Sequence, residues 1–114
     1  MTPDADEEIS AYVRLLATRF VKRTVGELPE QRANYVRLSA GDAVALDPLR
    51  RWAHRLHGTS GSLGLRALSA HSNDLEQLLQ PKTIPDAPTL QRVFDLMRAI
   101  EQALAGHAAQ ESHD

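Results

Sequence analysis

The sequence predicts an all-α protein: an antiparallel four-helix bundle with an additional N-terminal helix. Three observations carry this. Apolar residues recur at three- and four-residue spacing from end to end, and no stretch alternates with period two. Only five of the 114 residues are aromatic while Leu and Ala abound, a composition of helices rather than sheets. The breaks between periodic segments are short, so successive helices fold back on one another.

The first helix is expected from about Asp4 to Thr24, with Ile9, Tyr12, Val13, Leu16 and Phe20 on one face. Acidic residues crowd its start (Asp4, Asp6, Glu7, Glu8) and basic ones its end (Arg19, Lys22, Arg23), matching the helix dipole. Gly26 is the expected stop. A second helix starts near Pro29, carries Leu28, Tyr35 and Leu38 inward and ends before Gly41. Asp42 to Leu46 reads as a connecting turn, at most one turn of helix. A third helix opens on Asp47-Pro48, an N-cap with proline at the first helical position, and Gly64 marks its end. The fourth spans about Leu65 to Leu79. Three prolines, Pro81, Pro85 and Pro88, make the next stretch a loop. The fifth runs from about Thr89 to Ala105, and Gly106 to Asp114 reads as a frayed tail.

This is one domain over residues 1–114, with its core at about 9–105. Met1 and the short polar ends favour a free-standing protein. The chain has 13 basic and 15 acidic side chains, giving a net charge of −2, so no global footprint for nucleic acid is expected. There are no cysteines, which excludes disulfides, thiolate zinc sites and cysteine nucleophiles. No apolar run approaches the roughly 20 residues of a membrane span, and the acidic start is no signal peptide. A cytoplasmic monomer is the expectation.

The third helix carries the chemistry. On a helical wheel Leu49, Trp52, Ala53, Leu56, Ser60 and Leu63 cluster in one direction, toward the core. His54 lies roughly 150° from that direction, Gly58 nearly opposite it, and Gly61 on the same outer side. Glycine inside a helix costs about 1 kcal/mol relative to alanine, and an exposed position gains no packing in return. Helical side chains lean toward the N-terminus, so the residue at i+4 partly covers residue i. Glycine at 58 leaves the imidazole of His54 uncovered, and a partner can bring its own active site up to the ring. A solvated imidazole is mostly neutral at pH 7 and keeps a lone pair that can attack a phosphoryl group. Arg51 and Arg55 beside it can neutralise phosphoryl charge and steer an acidic partner site, and His57, one turn on, adds charge when protonated. A surface histidine among arginines is more often just a solvated face. The coupled outward histidine and glycine at i+4 raises the functional reading above it.

The run from Ala53-His54-Arg55-Leu56-His57-Gly58-Thr59-Ser60-Gly61 to Ser62-Leu63-Gly64 resembles the signature of histidine-containing phosphotransfer (HPt) domains. Leu75-Glu76 matches the usual leucine-glutamate of the following helix, and Leu28-Pro29-Glu30 and Ala40-Gly41-Asp42 also look like family positions. The resemblance covers about Ile9 to Leu104 and is most specific in the central dozen residues. It implies a four-helix bundle with a helix packed over one end. It implies that His54 takes a phosphoryl group from a receiver-domain phosphoaspartate, or directly from a histidine kinase, and passes it to another receiver. No cofactor of the chain's own is implied; the receiver domain brings the aspartate and Mg²⁺. No phosphate-binding GxxxxGK[ST] loop is present, in keeping with a carrier rather than an enzyme.

Two departures stand out. His57 occupies the position where the family most often has lysine, so transfer is expected to be more pH-sensitive than in lysine-bearing relatives. Asp47-Pro48 starts its helix later than in most relatives. Other readings are weaker. His54, His57 and His71 as a metal set lack nearby carboxylates or thiolates of usable spacing, so no metal site is expected. Ser60 points inward, and Ser62 sits in no strained turn of the hydrolase kind. Thr59 reads as a packing residue, and His107 and His113 lie in the tail. The competing function is a non-catalytic helical adaptor docking a signalling partner by the same surface.

Overall fold

A computed structural model describes residues 4–111. They form four α-helices and one 3-10 turn: α1 (Ala5–Ser39), the turn (Ala43–Ala45), α2 (Leu46–Ser62), α3 (Arg66–Leu78) and α4 (Ala87–Glu111). Each helix packs on the next, and α4 closes back onto α1. Cross-helix bonds give the directions. Arg32 meets Glu101 and Tyr35 meets Leu90, so α1 and α4 run antiparallel. His54 meets Glu76 and His57 meets Ser69, so α2 and α3 do too.

The largest difference from expectation lies in α1. A stop at Gly26 and a restart at Pro29 were expected, but the helix runs through both, so the additional N-terminal helix is the first half of α1. Packing explains this. Phe20, Val21, Thr24, Leu28, Gln31 and Leu38 form one buried stripe on both sides of the proline. An interior proline costs about 3 kcal/mol. Each fully buried large apolar side chain returns about 1.5–3 kcal/mol, so two or three of them outweigh it. Pro29 and Val25, whose carbonyl loses its donor, both lie on the exposed side, where water can take that carbonyl.

The ends of α1 and α2 are built alike. Gly41 (φ 94°) and Gly64 (φ 75°) adopt the left-handed conformation that closes a helix. Asp42 N–H donates to the Arg37 carbonyl at 2.9 Å, and Leu65 N–H to the Ser60 carbonyl at 2.9 Å. The Asp42 to Leu46 connection does contain a single helical turn, capped by Asp42 through Val44 N–H at 3.0 Å. Helix α2 follows directly and begins at Leu46, so Asp47 lies in the first turn rather than at the N-cap. Helix α3 starts one residue later than expected.

Helix α4 is longer than expected at both ends. Asp86 accepts from Thr89 N–H at 3.0 Å, and the helix begins at Ala87. It continues through Gly106 to Glu111, so the expected tail is helical over its described part. In this extension the half-buried His107 lines a hollow with Val21 of α1 and Leu65 to Leu68 at the start of α3. His113 lies outside the described residues. The core gathers Trp52, Leu49 and Leu56 of α2, Leu68 and Leu75 of α3, and Val93, Met97, Ile100 and Leu104 of α4 around the α1 stripe.

Candidate functional site

Helix α2 divides sharply. Leu49, Trp52, Ala53, Leu56 and Ser60 are buried, while Arg51, His54, Arg55 and Gly58 are exposed, as the wheel requires. One cross-helix bond holds the rotation of α2, and a second bond, within the helix, satisfies its buried serine. Trp52 Nε1 donates to Glu27 Oε1 at 3.1 Å, anchoring α2 to α1. Ser60 Oγ donates back to the Leu56 carbonyl, which satisfies its hydroxyl inside the core. That leaves Ser60 no nucleophilic role.

With the helix so held, the side chain of His54 is 70% exposed, yet one ring nitrogen is committed. Nδ1 lies 2.7 Å from Oε2 of Glu76, whose own side chain is only 10% exposed. A carboxylate can only accept, so Nδ1 carries the proton and donates. In the neutral ring the lone pair is then on Nε2, the nitrogen that has no such partner. Glu76 sits on the buried face of α3 beside Ser72 and Leu75, and His54 is what answers its charge.

The surroundings are basic. A hollow of about 320 Å³ is lined by His54, Glu76, Arg50, Arg51 and Arg55. Asp47 ties down two of these arginines, with Oδ1 2.6 Å from Arg50 and Oδ2 2.8 Å from Arg51. The bond from Arg50, ahead of the charges around it, holds the Asp47 carboxyl below the ordinary carboxylate range. Arg55 is exposed and lines a second hollow of about 520 Å³ on the other side of His54. That groove between α1 and α2 includes Phe20, Arg23, Glu27, Trp52 and Gly58. His54 therefore stands on a ridge between a basic hollow and a more apolar one.

Gly58 and Gly61 differ. A Cβ at Gly58 would meet nothing within 4 Å, so the space over His54 is open. A Cβ at Gly61 would come 3.3 Å from Ser69 Oγ, so this glycine serves the approach of α3 instead. His57 also turns to that seam: it is half-buried, and Nδ1 lies 3.1 Å from both the carbonyl and the hydroxyl of Ser69. His57 and Gly61 are thus brought to α3, while His54, Arg51, Arg55 and Gly58 share the outer surface.

Sequence reasoning missed Arg50 and the bond between Glu76 and His54. The second carried a signal. Glu76 continues the inward run of Leu68, Ser72 and Leu75, and a carboxylate there needs a partner. His71 is half-buried. Among the described residues no group of three His, Cys, Asp or Glu side chains could hold a metal ion, and no helix is long and apolar enough to cross a membrane.

The fold is thus a helical bundle that presents an oriented, solvent-facing imidazole among arginines. The family model of the Hpt domain matches residues 19–110, most of the chain, and the protein belongs to that family. Hpt domains take part in histidine phosphotransfer in two-component signalling and act as phosphocarriers. No curated protein and no solved structure matches the chain significantly.

Proposed function

We propose that this protein is a carrier in a two-component phosphorelay, with Nε2 of His54 as the acceptor atom. The donor is a phosphoaspartate on a receiver domain, or a histidine kinase, and a second receiver takes the group onward. The Nε2 lone pair attacks phosphorus, the bond from phosphorus to the aspartate oxygen breaks, and the carboxylate leaves with the electron pair. The imidazole keeps its Nδ1 proton and becomes cationic as the new bond forms. Glu76, fixed 2.7 Å away, faces that charge and holds the ring in the tautomer that attacks. Arg50, Arg51 and Arg55, which line the hollow beside the ring, supply the positive charge that phosphoryl oxygens need. His57, held on Ser69 at the α3 seam, adds charge more remotely when protonated. Gly58 leaves room for the partner's active site, which brings the aspartate and Mg²⁺. A cytoplasmic location accompanies such a relay.

The observation that carries this reading is the exposed ring with one nitrogen committed to a buried carboxylate. The experiment is incubation with a phosphorylated receiver domain. The wild type takes up an acid-labile, base-stable label, and a folded His54→Gln protein takes up none. Label that survives His54→Gln, or uptake from no receiver tested, would favour an adaptor that docks partners without phosphoryl chemistry.

A further inference from the structure

The first part of α1 extends beyond the packed part of the described bundle. Helix α4 runs antiparallel to α1, and His107 and Val21 line the same hollow, which puts the described end of α4 at Glu111 about level with Ala17. The end of α2 meets α1 at Leu16 and Phe20. Among the described residues Ala5 to Leu15 therefore project past both helix ends, an overhang of about 16 Å at 1.5 Å per residue. It is not a polar extension. Ile9 is 60% and Tyr12 62% exposed, and with the half-buried Val13 and Leu16 they form a continuous stripe at three and four spacing.

The charges along this stretch say what fits the stripe. Asp4, Asp6, Glu7 and Glu8 precede it, and Arg19, Lys22 and Arg23 follow it. Such a helix complements itself when turned end for end. Placing Ile9 of one copy against Leu16 of the other sets Tyr12 against Val13, with a two-fold axis between them. In that register Asp4 falls one residue from Lys22, and Glu8 falls two residues from Arg19. Glu8 and Arg19 lie on the same flank of the stripe on a helical wheel, and Asp4 and Lys22 also share a flank. An antiparallel pair requires this, since each flank then meets its own counterpart. The incoming helix start also meets a matching surface. A hollow of about 360 Å³ with Leu16, Phe20, Thr59 and Leu63 around it is rimmed by Arg19 and Arg23.

We infer that the protein forms a two-fold symmetric dimer through antiparallel pairing of the N-terminal halves of α1. It departs from the expectation of a monomer. The contact is a single helix pair, at the small end of specific interfaces, so the dimer is weak and concentration-dependent.

Sedimentation velocity over a concentration series tests it, with circular dichroism confirming that each variant keeps its helices. The wild type shifts from monomer to dimer with concentration, and Tyr12→Glu, at an exposed position, stays monomeric. Glu8→Arg and Arg19→Glu each weaken the dimer at least tenfold. Mixing the two single variants restores it, because both ion pairs re-form in the heterodimer. A wild type that stays monomeric to about 1 mM overturns the inference, as does a dimer that Tyr12→Glu leaves intact. Failure of the mixture to recover overturns the antiparallel register. A monomer whose Tyr12→Glu variant loses receiver binding assigns the stripe to a receiver domain instead.

Discussion

Helix α2 contains the same pair twice, His54 with Gly58 and His57 with Gly61, and the structure uses the two pairs in opposite ways. At the first, the ring stands in water and the glycine opens onto nothing within 4 Å. At the second, the ring is half-buried on the Ser69 carbonyl and the glycine lets α3 come close. Sequence spacing is identical, so spacing does not confer the role. The partner on α3 does: a buried carboxylate orients one ring toward solvent, and a backbone carbonyl ties the other into the seam.

Substitutions at the two pairs and their partners on α3 test this contrast. The largest effect is at the rings themselves. His54→Gln abolishes phosphoryl uptake from a phosphorylated receiver, whereas His57→Gln keeps it within a few-fold; equal losses in a transfer assay would erase the distinction. Next is the carboxylate. Glu76→Ala removes a charge-assisted hydrogen bond of about 1.5–3 kcal/mol, so transfer slows on the order of tenfold or more. Glu76→Gln recovers part of that rate, since its amide oxygen still accepts from Nδ1. An unchanged single-turnover rate for Glu76→Ala would show that the orientation of His54 is immaterial.

The glycines give smaller and opposite shifts. Gly58→Ala relieves the helix of about 1 kcal/mol and meets no neighbour, so the urea midpoint rises while transfer slows. Gly61→Ala gains less stability because Ser69 Oγ must yield, and it leaves transfer unchanged. Denaturation and transfer measured on both variants check this; matching behaviour at the two positions contradicts it.

The smallest effect concerns carboxylates at the helix starts, which lack the burial of Glu76. Arg37 and then Val44 N–H hold Asp42 below its usual value of 3.8, and the Thr89 hydroxyl and N–H do the same for Asp86. A lowered folded-state value means the folded protein binds fewer protons. The stabilisation is complete above the unfolded value and is lost as pH falls through the folded one. Urea midpoints taken from about pH 6 down to about pH 2.5 therefore decline, and Asp86→Asn declines less steeply. Parallel profiles would remove Asp86 from the acid sensitivity.

How much of this was legible depended on the range of the signal. Gly41 and Gly64 closed helices as their sequence neighbours suggested, since a left-handed residue is a local device. The inward set of α2 followed from periodicity alone, because Leu49, Trp52, Ala53, Leu56 and Ser60 share a face and are all buried. Gly26 and Pro29 misled, since each is a local stop signal and the burial of Leu28 and Leu38 against distant helices overrides both. Asp47 misled for a related reason: the preceding 3-10 turn already feeds the helix, which frees its carboxylate for Arg50 and Arg51. The bond between His54 and Glu76 spans 22 positions, and no local pattern specifies it. Only the inward placement of a carboxylate hinted that a partner was needed.

The most direct measurement of the central claim is nitrogen and phosphorus NMR on the protein after transfer from a phosphorylated receiver domain. One phosphoryl group is expected, bonded to Nε2 of His54, with the Nδ1 proton still in place. Phosphorus on Nδ1, on His57 or on any other side chain would contradict it.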